Sequence, residues 1–172
     1  MYSQINTQAA LDTTVITLDE AKIQCRLMSS FTLDDNELTN LITTCLELAQ
    51  TYTKKLLTVG TVTALVEDGR DEILVPWGNV QTMTEVKVDG VVSTNFKFNP
   101  ISQKLIITVP YTEAEFTYTA GYTTLPTSVK HAVLMMISTF YNQHDDIITG
   151  LSVAEIPQKS TVLLDRIKNY VV

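Results

Sequence analysis

Charge is scarce in this sequence. Asp, Glu, Lys and Arg make up 18% of its 172 residues, against about a quarter in an ordinary soluble domain. What charge there is leans acidic, with a net value of −7. No segment is basic: residues 1–60 carry seven acids and four bases, 61–120 eight and four, and 121–172 four and four. That excludes wrapping of nucleic acid, which sets Lys and Arg against phosphate. There are two histidines, His131 and His144, so the stock of general bases is small. There are two cysteines, Cys25 and Cys45. They lie far apart in apolar helical patterns and lack the close pairs or added His ligands of metal and redox motifs, so they read as buried reduced thiols. No apolar run reaches the length of a membrane span, and no membrane partner is expected. The opening "MYSQINTQAALDTTV" has no basic stretch leading into an apolar one, so no secretory signal is expected.

Catalytic sets are missing too. There is no Gly-Lys-Ser/Thr phosphate loop, no GxGxxG, no GxSxG and no HExxH. His131 falls on a helix stripe and reads as structural. His144, Asp145 and Asp146 adjoin, but they diverge at a helix end and no third ligand set is near in sequence. The carboxylate pairs Asp34-Asp35, Asp71-Glu72 and Glu113-Glu115 suit helix starts and turns. No catalytic residue, metal or cofactor is expected, and the chain reads as no enzyme.

What is present is an apolar fraction of 45%, enough for a core, and threonine at 26 positions. A surface of neutral Thr costs less to desolvate under another protein than one of Lys and Glu. "ITLDEAKIQCRLM" predicts a first helix. Thr17 and Glu20 form a capping box with Ile16 as its staple, and Ala21, Cys25 and Met28 share a face. "TLDDNELTNLITTCLELAQTYTKKLL" predicts a second helix capped by Thr32. Its stripe is Leu38, Leu41, Ile42, Cys45, Leu48, Ala49, Tyr52 and Leu56, with Lys54 and Lys55 in the last turn. Its other face (Asn36, Asn40, Thr43, Thr44, Glu47, Gln50, Thr51) is either solvated or meets a neighbouring subunit. From Thr61 the period becomes two. Short antiparallel strands follow, with Asp89-Gly90 as a hairpin signal and Asn99-Pro100 as a turn. Trp77 reads as a packed aromatic at a strand end.

Pro126 and Thr127 restart helix. Val129 to Tyr141 is apolar almost all round, with a polar stripe of only Ser128, His131 and Ser138. A surface helix keeps a broader polar face. The other helices must cover much of it, and a neighbouring chain can complete the cover. A loop of roughly 18 residues leads to a last helix in "STVLLDRIKNYVV".

The class is therefore α+β: a helical module of two N-terminal and two C-terminal helices with an inserted antiparallel β meander or small barrel. The expected boundaries are a flexible arm at 1–16, the helical module at 17–60 and 121–172, and the β subdomain at 61–120.

Three stretches resemble the head–tail connector (adaptor) proteins of long-tailed bacteriophages. Thr17, Leu18, Glu20, Ala21, Lys22 and Arg26 match a Ser/Thr-Leu-x-Glu-Ala-Lys-x-x-x-Arg helix, followed by Asp34, Asp35, Thr53 and Leu57. Tyr118, Ala120, Gly121, Tyr122, Pro126, Ala132 and Tyr141 match a Tyr-x-Ala-Gly-Tyr exit into an apolar helix. Ile156, Pro157, Leu163, Leu164 and Arg166 match the ending. The match spans both helical parts; the β insertion agrees in position, not in detail. Cys25 departs from the usual Leu, and His144 or Asp145 from the usual Arg or Glu.

The resemblance implies a structural virion protein in a ring of about twelve copies. The ring would dock on the portal, meet a stopper or tail-completion protein, and leave a channel through which DNA passes without specific binding. It would be assembled in the host bacterial cytoplasm. The candidate portal or oligomer interface is Ile156, Pro157, Leu163, Leu164, Ile167 and Val171, though a core role suits most of these equally. The alternatives are a cellular protein-binding module without enzymatic activity and another neck or tail-completion protein.

Overall fold

The computed structural model describes residues 2–8, 11–67, 72–143 and 159–168, with side chains described from residue 11 onward. They form two compact units: a β unit within residues 1–10 and 54–124, and a helical unit within 11–53 and 125–168. The α+β class holds, with the antiparallel strands inserted between helices.

The β unit has eight strands: β1 (Tyr2–Gln8), β2 (Gly60–Val66), β3 (Glu72–Leu74), β4 (Val80–Val88), β5 (Val91–Val92), β6 (Phe96–Asn99), β7 (Lys104–Ile107) and β8 (Ala114–Ala120). One sheet runs β1-β2-β8-β4-β5 and the other β3-β7-β6. This corrects the meander and the small barrel. The last strand, β8, inserts between β2 and β4, so the order is not sequential, and the described strands close no barrel. The opening residues, read as a flexible arm, contain β1, which pairs antiparallel with β2.

Strict alternation builds the core of this unit. Val62, Ala64 and Val66 of β2 face inward, as do Ala114, Phe116, Tyr118 and Ala120 of β8. Ile73, Val86, Leu105 and Ile107 bring both sheets into the same apolar cluster, with Trp77 packed against it. The buried Tyr118 hydroxyl accepts a bond from the Trp77 N–H at 3.2 Å. Asp89 (φ 49°) and Gly90 (φ 79°) make the two-residue turn between β4 and β5, as their sequence signal required. The Asn99 carboxamide oxygen accepts from the Ile101 and Ser102 N–H groups, closing the Asn-Pro turn.

The helical unit contains a 3-10 turn at Thr13–Val15 and the helices α1 (Leu18–Gln24), α2 (Asp35–Thr53), α3 (Thr127–Asn142) and α4 (Lys159–Asp165). The capping box of α1 is present in both directions. The Thr17 hydroxyl accepts from the Glu20 N–H, and the Glu20 carboxylate accepts from the Thr17 N–H at 2.9 Å. The expected cap at Thr32 is absent: it offers only its carbonyl, to the Asp35 N–H. Helix α3 follows Pro126 and has no side-chain cap.

Helix α2 stops at Thr53 because Lys54 turns left-handed (φ 52°), so Lys54 and Lys55 fall outside its last turn. Its buried stripe is Leu38, Ile42, Cys45, Leu46, Ala49 and Thr53. Both cysteines are buried free thiols, and burial pushes Cys45 up to about 12. Helix α3 packs against α1, α2 and α4. Val129, Ala132, Val133 and Ile137 are thereby sealed, while Leu134, Met135 and Met136 are half-buried.

Candidate functional site

No chemistry gathers in the described residues. No three His, Cys, Asp or Glu side chains there are grouped to hold a metal. His131 is exposed on α3; His144, Asp145 and Asp146 lie outside the described residues. No described helix is long and apolar enough to cross a membrane.

The helical unit instead presents a polar latch beneath an apolar end. Lys22 of α1 is buried, with 4% of its side chain exposed. Its ammonium meets Asp35 Oδ1, at the start of α2, at 2.6 Å, and donates to the Ser29 carbonyl at 3.4 Å. Asp34 Oδ2 accepts a 2.6 Å hydrogen bond from the Tyr141 hydroxyl, in the last turn of α3. Lys130 of α3 meets Glu20 of α1 at 2.6 Å. That contact, and then the Thr17 N–H, hold the Glu20 carboxyl below its ordinary range. These three pairs tie α1, α2 and α3 together, and five of their six residues (Glu20, Lys22, Asp34, Asp35 and Tyr141) carry the family resemblance.

The hydrogen bond to Asp34 pushes Tyr141 up to about 12. Its neutral form therefore favours the folded state fully below the ordinary tyrosine value of 10, and that contribution is lost as pH rises from about 10 to about 12. Phenolate absorbance of wild type minus that of Tyr141→Phe should show one tyrosine titrating near 12, and Asp34→Asn should return it toward 10. An ordinary value for Tyr141 in the wild type would remove this contact from the folded state in solution.

Outside the latch, the same end of the unit is apolar and bare. Ile23, Met28 and Leu33 are 73%, 77% and 85% exposed, and Phe140, beside Tyr141 on α3, is 43% exposed. Met28 does not share the buried face of Ala21 and Cys25 that helical spacing assigned to it. Arg26 turns left-handed (φ 60°) and ends the periodicity before Met28.

The six residues of the expected interface divide. Ile156, Pro157 and Val171 lie outside the described residues. Leu164 is 1% exposed and belongs to the core, while Leu163 and Ile167 are half-buried. Val162, not among the six, is the exposed apolar residue of α4. Helix α4 is fixed at its end by the Tyr52 hydroxyl, which donates to Asp165 Oδ1 at 2.6 Å, and by the Lys168 ammonium over the Tyr52 ring at 4.1 Å. Sequence reading missed Met28, Leu33 and Phe140 as surface residues. For Met28 and Leu33 the available signal was the break between α1 and α2, beyond which a helical stripe has no meaning; for Phe140, inside α3, there was none.

No protein-family model and no curated protein sequence match the chain. Solved structures share its fold along almost its whole length. A chain in "Virion of native gene transfer agent (GTA) particle" superposes with a TM-score of 0.78 at 19% identity, covering 98% of this chain and 97% of that one. A chain in "Neck of empty GTA particle computed with C6 symmetry" gives 0.77 at 19% identity with the same coverage. A chain in "Neck of native GTA particle computed with C12 symmetry" gives 0.73 at 15%, again covering 98% and 97%. The fold of this chain, both units included, is thus a fold used in the neck of a gene transfer agent particle.

Proposed function

We propose that this chain is a structural subunit of the neck of a phage or phage-like particle. It works by assembly and carries out no covalent chemistry. The observation that carries this reading is the whole-chain likeness to chains of a particle neck resolved with C12 symmetry. The connector motifs at Glu20, Lys22, Asp34, Asp35, Gly121 and Tyr141 point the same way. In this reading about twelve copies close a ring through a heterologous contact, each copy using two different surfaces. The ring docks on the portal and is followed by a stopper or tail-completion protein. Leu163 and Ile167, with Ile156, Pro157 and Val171, are the residues proposed to reach the portal, and Leu164 supports them from the core. The acidic balance of −7 suits a channel for DNA, since carboxylates repel phosphate and discourage adhesion. The place of action is the head–tail interface of the virion, after assembly in the host cytoplasm.

Native mass spectrometry of the full chain, alone and with the portal protein of the same genome, tests this. The expected result is a closed ring of about twelve copies, free or on the portal. A chain that stays monomeric at all concentrations and ignores the portal would overturn it.

A further inference from the structure

We infer that the apolar end of the helical unit, formed by Ile23, Met28, Leu33 and Phe140, is the surface on which a second copy of this chain seats. The inference rests on the ring reading above and gives that ring one of its two contact surfaces.

Four observations point to this occupant. The first is placement: the Tyr141–Asp34 bond brings the end of α3 to the start of α2, and the exposed Phe140 and Leu33 each adjoin one of the two bonded residues. The second is area. The four side chains expose on the order of 400 Å² of apolar surface, a patch size that marks interaction sites and about half of one side of a standard interface. One such patch is too small to be a whole stable interface, but it suits the apolar centre of a contact repeated around a ring.

The third observation is charge. Every copy carries −7, so two copies repel wherever acidic surfaces meet. At this end residues 23–33 contain one charged side chain, Arg26, and residues 134–143 contain none. Among the described residues, the acids flanking this end are Asp19, exposed one turn before Ile23, Asp34, bonded to Tyr141, and Asp35, whose charge Lys22 offsets. Few carboxylates thus stand against a like-charged copy here, whereas a nucleic acid would find a single cation. The fourth is rigidity. The buried Lys22–Asp35 pair and the Lys22–Ser29 bond fix the connection from beneath. The apolar side chains are thus presented in place, and little ordering cost remains for binding.

The test uses the full chain with Met28→Gln and Leu33→Gln together, which leaves the net charge unchanged. Native mass spectrometry and analytical ultracentrifugation read the assembly, and thermal unfolding reads the fold. The expected result is a chain that melts like wild type but whose ring needs at least about a hundredfold higher concentration to form. A ring that forms at the wild-type concentration overturns the inference and leaves the neck reading standing. A drop in melting temperature of the monomer overturns it differently, because the chain itself would then be covering these side chains. A wild-type chain that forms no ring, alone or on portal, overturns the neck reading and this surface with it. As a second variant, Ile23→Gln, 73% exposed and inside α1, should weaken the ring in the same direction without changing the melting curve.

Discussion

Replacing Gly121 by alanine is expected to destabilise the β unit by about 4 kcal/mol, combining backbone strain with overpacking. Gly121 follows β8 with φ at +113°, a conformation that L side chains rarely adopt. A Cβ added there would stand 2.1 Å from the Thr58 carbonyl oxygen and 2.9 Å from the Val59 nitrogen, both backbone atoms that cannot swing aside. The strand exit is also pinned from the other side. The Gly121 N–H donates to the Asn79 carbonyl, and the Gly121 carbonyl accepts from the Asn79 and Gln81 carboxamides at 2.8 Å each. Relief of the clash would therefore break several bonds at once.

Gly90 supplies the internal comparison. It also has positive φ, but nothing lies within 4 Å of its would-be Cβ. Gly90→Ala should cost only about 1 kcal/mol, the strain of a left-handed alanine. Urea unfolding followed by Trp77 fluorescence measures both. Equal losses for the two variants would mean that the close approach at Thr58 is absent in solution. The Ala-Gly-Tyr exit, which helped to carry the family resemblance, thus has a steric reason in this chain.

Local signals were legible in the sequence; pairings between distant residues were not. The Thr17–Glu20 capping box and the Asp89-Gly90 turn are complete within four residues, and both formed as expected. β1 was invisible because "YSQINTQ" does not alternate and is mostly Ser, Gln and Asn, with only Tyr2, Ile5 and Thr7 as strand formers. Its strand state comes from pairing with β2, nearly sixty residues away, a case of tertiary context overriding propensity. The strand order failed for the same reason, since nothing near β8 announces that β2 and β4 flank it. On α2 the stripe rotated. Leu46 is buried and Leu48 is 43% exposed, because α1, α3 and α4 together decide which face is inside. The assembly surface was hidden behind a correct idea. The sequence's poverty of charge pointed to contact with protein, but Met28 sits just past the end of α1, where periodicity had been carried too far, and Phe140 lies on a helix that is apolar almost all round.

The second large effect is expected at Asp35, and its size should differ from that at Lys22. Removing one member of a buried ion pair costs more than the pair contributes, because the survivor keeps its desolvation penalty without its partner. Here the survivors are unequal. Asp35→Asn leaves the Lys22 ammonium, whose side chain is 4% exposed, without a countercharge, facing only a neutral carboxamide and the Ser29 carbonyl at 3.4 Å. That should cost about 3 kcal/mol, the lower end for a broken buried pair. Lys22→Met strands the Asp35 carboxylate, whose side chain is 30% exposed and can take up water at one oxygen. Oδ1, which met Lys22, is buried and has no other partner among the described residues, while the methionine fills the vacated stem. That should cost about 2 kcal/mol, between a surface pair and a broken buried pair. The double variant Lys22→Met with Asp35→Leu leaves neither charge behind and should recover most of the Asp35→Asn loss. Denaturant unfolding of the three variants decides it. A loss below about 1 kcal/mol for Asp35→Asn would show that the ammonium is hydrated, and the latch beneath the apolar end would then be too loose to hold that surface in place for a neighbouring copy.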